Sequence, residues 1–133
     1  MDIKYKLLIV EDDESLRLLL SEYFTMEGFE VLKASNGEEG WKIVRNNLDL
    51  DMVLLDLLLP SKMDGLDVLE KIKGNPETRN IPVYLSTVLE RDEVIKKAFD
   101  IGASGYIIKD VFTPEQIKEE LLKFLSANQF NTQ

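Results

Sequence analysis

With 133 residues, 44% of them hydrophobic and 31% charged, the chain has the size and composition of one compact domain that buries about two thirds of its unfolded surface. It has neither cysteine nor histidine, which excludes disulfide frameworks, thiolate zinc sites, and histidine-based triads and metal clusters. A net charge of -9 argues against direct binding to nucleic acid phosphates, and no apolar run approaches the roughly 20 residues of a membrane span, so the expectation is a cytoplasmic protein, without membrane insertion, whose partner is a protein or a small ligand.

Apolar blocks of strand length alternate five times with segments of helical period, the pattern of a parallel sheet covered by helices on both faces. Lys6 to Val10 forms the first strand. A helix from about Ser15 presents Leu16, Leu20 and Phe24, together with Leu19, Tyr23 and Met26, as an apolar face, and Gly28 stops it. The second strand, Phe29 to Ala34, alternates apolar and polar residues, which places it at a sheet edge. Asn36 followed by Glu39 reads as a capping box for a helix carrying Ile43, Val44 and a packed Trp41. The third strand is the apolar run that ends at Asp56. A loop with Pro60 and Gly65 precedes a helix from Leu66 to Lys73, the turn Gly74-Asn75-Pro76 and a fourth strand, Val83 to Ser86. The fourth helix, Asp92 to Ile101, buries Val94, Ala98 and either Phe99 or Ile101, and Gly102 ends it. A fifth strand, Gly105 to Ile108, leads through Lys109 to a helix start at Thr113-Pro114-Glu115-Gln116, whose inner face is Ile117, Leu121, Phe124 and Leu125. Residues 1–127 then form one doubly wound α/β domain, and 128–133 a flexible tail with too little apolar content to pack.

A carboxylate at the end of a buried strand, as Asp56 is, costs stability unless it has a task. The other polar residues out of place also fall at strand carboxyl ends: Glu11 and Asp12 after the first strand, Thr87 after the fourth, Lys109 after the fifth. In a right-handed parallel sheet these ends share one edge, where ligands bind. Three crowded carboxylates repel one another unless a cation sits between them, and all-oxygen ligation suits a hard ion such as magnesium. A lysine and a hydroxyl beside them complete a site for phosphoryl transfer, with Asp56 as the nucleophile. Asp13 and Glu14 read as first-turn acids favoured by the helix dipole.

Four stretches carry a family pattern: Leu7-Leu8-Ile9-Val10-Glu11-Asp12 with Arg17; Asp56-Leu57-Leu58-Leu59-Pro60 with Met63-Asp64-Gly65; Ile81-Pro82-Val83 through Thr87; and Gly102-Ala103-Ser104-Gly105-Tyr106 through Lys109. In this order and spacing the chain resembles the receiver domain of two-component response regulators. The resemblance implies a flavodoxin-like sheet of strand order 2-1-3-4-5 and a signalling phosphoacceptor that catalyses only its own phosphorylation and dephosphorylation. It implies that Asp56 accepts a phosphoryl group from the phosphohistidine of a sensor histidine kinase or a histidine phosphotransfer protein. Asp12, Asp56 and the backbone carbonyl of Leu58 would hold Mg2+, Glu11 acting through a bound water, and Lys109 would pair with Asp56 or its phosphoryl group. Thr87 would move to hydrogen-bond that group and Tyr106 would swing inward, with helix four, strand five and helix five presenting the change to a downstream protein target. A stand-alone regulator of chemotaxis or phosphorelay type is expected, although a receiver excised from a longer protein would look the same.

The chain departs from the pattern at several positions. Ser61 and Lys62 make the loop over the site one residue longer, and Asp110-Val111 lengthen the step into the last helix. Val88 stands where the family favours a small residue, which predicts a narrowed approach for the donor and slow or donor-selective phosphorylation. Asp110 replaces a proline whose preceding bond is cis; that geometry costs about 3 kcal/mol before any other residue, which predicts a trans bond and a different aim for Lys109. Leu58 and Leu89, both apolar at positions that influence attacking water, predict a long-lived phosphoryl group. Val88 and Asp110 also support an alternative, a non-phosphorylated pseudo-receiver acting as a protein interaction module. A magnesium-dependent aspartyl-nucleophile phosphatase is disfavoured because its nucleophile follows the first strand, and a flavin-binding protein because Glu11-Asp12-Asp13 would repel the flavin phosphate.

Overall fold

The computed structural model describes residues 4–88 and 92–131, in the order β1 (Lys6–Val10), α1 (Glu14–Met26), β2 (Glu30–Ala34), α2 (Gly37–Asn46), β3 (Met52–Asp56), α3 (Gly65–Gly74), β4 (Val83–Thr87), α4 (Asp92–Ile101), β5 (Gly105–Ile108) and α5 (Pro114–Asn131). All four strand pairings are parallel, and the sheet runs β2-β1-β3-β4-β5. This is the flavodoxin-like order, with β2 at an edge as its alternating sequence requires. The central strands β3 and β4 are buried at every position, whereas the edge strands β2 and β5 are buried only in part, which is why only the former read as unbroken apolar runs.

Side chains alternate across the strands and divide the core in two. Leu8, Val10, Val53, Leu55, Val83 and Leu85 face α2, α3 and α4. Leu7, Ile9, Met52, Leu54, Tyr84 and Ile107 face α1 and α5.

The helices begin where their caps dictate. Asp13 is the N-cap of α1, its Oδ1 accepting the Leu16 N–H at 3.1 Å, and Glu14 lies in the first turn. Asn36 Oδ1 accepts the Glu39 N–H at 2.8 Å, but Glu39 Oε1 in return accepts from Ser35, one residue before the cap. A reciprocal box that the sequence reading missed, Asp64 with Asp67, starts α3 at Gly65, one residue early. Thr113 and Gln116 bond reciprocally at the start of α5, which satisfies two otherwise orphaned donors.

Leu19 and Met26, expected on the inner face of α1, are exposed; Leu20 and Phe24 fill the core and Leu16 and Tyr23 pack against it. A stripe of six apolar residues is wider than the strip of α1 that the sheet and α5 cover. In α4, Ala98 is buried and Val94 and Ile101 pack on the core, while Phe99 lies outside it. Trp41 packs against the core with the Arg45 guanidinium 5.5 Å from its ring centroid. Helix α5 continues to Asn131, through the first residues of the segment assigned to a tail. Leu89 lies outside the described residues.

Candidate functional site

The strand registers decide which residues meet. Val10 pairs with Leu55, Asp56 with Ser86 and Thr87 with Ile108. Glu11 therefore lies level with Asp56 on neighbouring strands, and Lys109 follows the residue beside Thr87. Glu11 and Asp56 are each 2% exposed, whereas Asp12 is exposed. One carboxylate oxygen from each of the three lies within 4.8 Å of the others.

Lys109 bridges the two buried acids. Its Nζ is 2.5 Å from Glu11 Oε1 and donates to Asp56 Oδ2 at 2.9 Å. The second oxygen of each acid takes a backbone donor: Asp56 Oδ1 accepts from Leu58 N–H at 3.0 Å, and Glu11 Oε2 from Asp13 N–H at 3.1 Å. Both carboxylates are thus held at both ends, an arrangement that fixes their orientation. Arg17 Nη1 donates to the carbonyls of Glu11 at 2.8 Å and Asp12 at 3.4 Å, bracing the turn that carries those acids.

No cis peptide bond occurs among the described residues. The Lys109–Asp110 bond is trans, as the missing proline predicted, yet Lys109 still reaches Asp56. The expectation of a different aim is corrected: the Lys109 N–H bonds to Thr87 O at 2.9 Å, and the turn after it closes through Val111 and Phe112 N–H groups on Ile108 O, so the backbone fixes where the side chain leaves.

Two buried carboxylates share a single ammonium. Burial pushes the Asp56 carboxyl up to about 7; the Lys109 hydrogen bond opposes this, the Glu11 charge adds to it, and the Leu58 N–H opposes it more weakly. For Lys109, burial works to lower the pKa, but the hydrogen bonds it donates to Glu11 and Asp56 outweigh it and the net shift is upward. The ammonium stays charged, and the site as a whole carries excess negative charge.

Close backbone approaches build the loop over the site. A Cβ on Gly65 would lie 2.4 Å from Asp56 O and 2.5 Å from Leu57 Cα, and one on Gly37 would lie 2.1 Å from Met63 O. Only glycine lets α3 start against the end of β3 and α2 start against the β3–α3 loop. Glu38 Oε1 accepts the Met63 N–H at 3.2 Å and Ser61 Oγ donates to Met63 O at 2.8 Å. Ser61, in the lengthened part of the loop, thus becomes a bracing residue. The sequence reading gave no role to Gly37, Glu38 or the buried Ser86, which sits beside Asp56 in register; a polar residue in the otherwise apolar β4 was the available signal for Ser86.

Thr87 is buried at the end of β4. Tyr106, 42% exposed, stands on the face that also carries Leu85, its register partner, and Thr87, two residues beyond Leu85. Its ring meets Phe99 edge to face, centroids 6.2 Å apart at 77°. Leu58 and Val88 are exposed near the site.

Fold and pocket together define a class: doubly wound α/β domains that bind charged ligands at the carboxyl edge of a parallel sheet. Within it, the chain belongs to the response regulator receiver domains, whose family pattern matches residues 7–122. Receiver domains are signalling phosphoacceptors of two-component systems. The transcriptional regulatory protein SrrA of Staphylococcus aureus is 33% identical over 127 residues, 96% of this chain and 50% of SrrA, so the chain spans about half the length of the curated relatives it matches. A receiver domain protein from Clostridium thermocellum superposes with a TM-score of 0.85 at 25% identity, covering 96% of this chain and 99% of that one. CheY in a CheX-CheY-BeF3-Mg complex from Borrelia burgdorferi superposes at 0.81 with 28% identity, covering 90% and 88%. Among the described residues no helix is long and apolar enough to cross a membrane.

Proposed function

We propose that this receiver takes a phosphoryl group on Asp56 from the phosphohistidine of a sensor histidine kinase or a histidine phosphotransfer protein, in a magnesium-dependent reaction. The observation that carries this reading is the doubly held Asp56 carboxylate, with Lys109 Nζ at 2.9 Å and two further acids within metal-binding reach. An Asp56 oxygen attacks phosphorus; the new O–P bond forms as the N–P bond to the donor imidazole breaks, and the bonding pair returns to the imidazole nitrogen. Lys109, already beside the oxygen that becomes esterified or its twin, offsets charge on the phosphoryl oxygens without having to move in from solvent.

The donor set fits Mg2+: hard carboxylate oxygens, close enough for one ion and short of positive charge. Asp12, Asp56 and the Leu58 carbonyl would hold it and Glu11 would act through water; when bound, the ion neutralises charge on the transferring group. The BeF3 and Mg in the Borrelia CheY complex support the same chemistry here.

Thr87 is the hydroxyl that would bond the phosphoryl group, and Tyr106, on the same sheet face, the ring that would turn inward behind it. The face of α4, β5 and α5 then carries the change to a protein target; the Borrelia CheY likewise forms a complex with another protein, CheX. Because Lys109 reaches Asp56 through a trans turn, Asp110 no longer favours the pseudo-receiver reading, and Val88 alone supports it. The test is transfer from a phosphorylated histidine phosphotransfer protein with magnesium or with chelator. Label on the wild type only with magnesium, and none on Asp56→Asn, is expected; label independent of both would overturn the reading.

A further inference from the structure

Phe99 is not needed to seat α4. Val94, Ala98 and Ile101, at spacings of four and three, already anchor the helix to the core, and the Phe99 ring is 41% exposed. Its contact is instead with Tyr106 on the neighbouring edge strand, edge to face at 6.2 Å between centroids. The two rings, each about two fifths exposed, meet edge to face, and Tyr106 is the one assigned to move. We infer that Phe99 is a positioning residue: it holds Tyr106 in the outward orientation and so lowers the affinity of the Asp56 pocket for a phosphoryl group.

The inference rests on the proposed coupling between Tyr106 and the phosphoryl site. A ligand that binds better when Tyr106 is inward must pay for breaking the ring pair, and by linkage whatever weakens the pair strengthens that ligand's binding by the same factor. An edge-to-face aromatic pair contributes enough to change such an equilibrium roughly 2- to 10-fold. Truncation at an exposed helical position, to the residue of highest helix propensity, leaves the fold intact.

The experiment is calorimetric titration of the protein with beryllofluoride, a phosphoryl mimic, at saturating magnesium. Phe99→Ala is expected to bind roughly 2- to 10-fold more tightly than the wild type, and Phe99→Tyr, which keeps a ring, to match the wild type. In a Tyr106→Ala background Phe99→Ala should change nothing, since the partner ring is gone. Unchanged or weaker binding by Phe99→Ala, or the same gain in the Tyr106→Ala background, overturns the role of Phe99 while leaving the phosphoacceptor reading in place. Absence of binding to the wild type overturns that reading itself.

Discussion

Asp56→Asn should make the metal-free protein more stable at pH 8, and by an amount that disappears on acidification. Glu11 and Asp56 share the Lys109 ammonium in a pocket where both acids are 2% exposed, so one negative charge is uncompensated. The Asp56 carboxyl is accordingly raised from 3.8 to about 7. A folded state that binds this proton more tightly than the unfolded chain loses stability as pH rises from about 4 to about 7, by up to about 1.4 kcal/mol per pH unit. The shift of roughly three units corresponds to about 4 kcal/mol at most. Asparagine, like the protonated carboxyl, keeps acceptors for the Leu58 N–H and for Lys109, and the attraction of Lys109 for the carboxylate is already contained in the raised pKa. The gain is then up to about 4 kcal/mol, or roughly 12 °C in melting temperature for a domain of this size. Thermal unfolding with chelator at pH 5, 6, 7 and 8 measures it. A melting temperature of Asp56→Asn at or below that of the wild type at pH 8, or a gap that does not change with pH, would refute the reasoning. Magnesium, supplying the missing positive charge, should raise the wild-type melting temperature and narrow the gap.

Gly65→Ala forces a methyl group into backbone at 2.4 and 2.5 Å; it should destabilise by about 1–3 kcal/mol and slow phosphorylation, since the displaced backbone is that of Asp56 and Leu57, and unfolding and labelling rates together check both effects. Val88→Ala should take phosphoryl groups faster from a small donor such as acetyl phosphate if the β-branched side chain narrows the approach; equal rates would remove that idea. With the apolar, exposed Leu58 two residues past Asp56, autodephosphorylation should be slow, and Leu58→Asn should shorten the lifetime of the phosphoryl group in a label-loss assay.

What was legible in the sequence followed from where charge sits against burial. β3 is buried on both faces and reads as a continuous apolar block, so the carboxylate ending it stood out, and the parallel order brought Glu11, Asp12 and Lys109 to it and Thr87 to the same sheet edge. Helix faces were legible only in part. The period of α1 shows which residues could face inward, not how wide a strip the sheet and α5 cover, so Leu19 and Met26 were misplaced. Phe99 and Ile101 compete for one side of α4, and only the position of Tyr106 on β5 gives Phe99 a partner outside the core. The aim of Lys109 was misjudged because the turn was inferred from one peptide bond, whereas hydrogen bonds to Thr87 O and Ile108 O hold it in place. Gly37 and Gly65 depend on loops passing within van der Waals contact, which spacing along the chain does not encode.

The central claim is that Asp56 is the atom group that receives phosphorus. Intact mass after incubation with acetyl phosphate and magnesium tests it most directly, with Asp56→Asn beside the wild type. One phosphoryl adduct on the wild type, absent with chelator and absent in Asp56→Asn, is predicted; no adduct on the wild type, or an adduct that survives in Asp56→Asn, would contradict it.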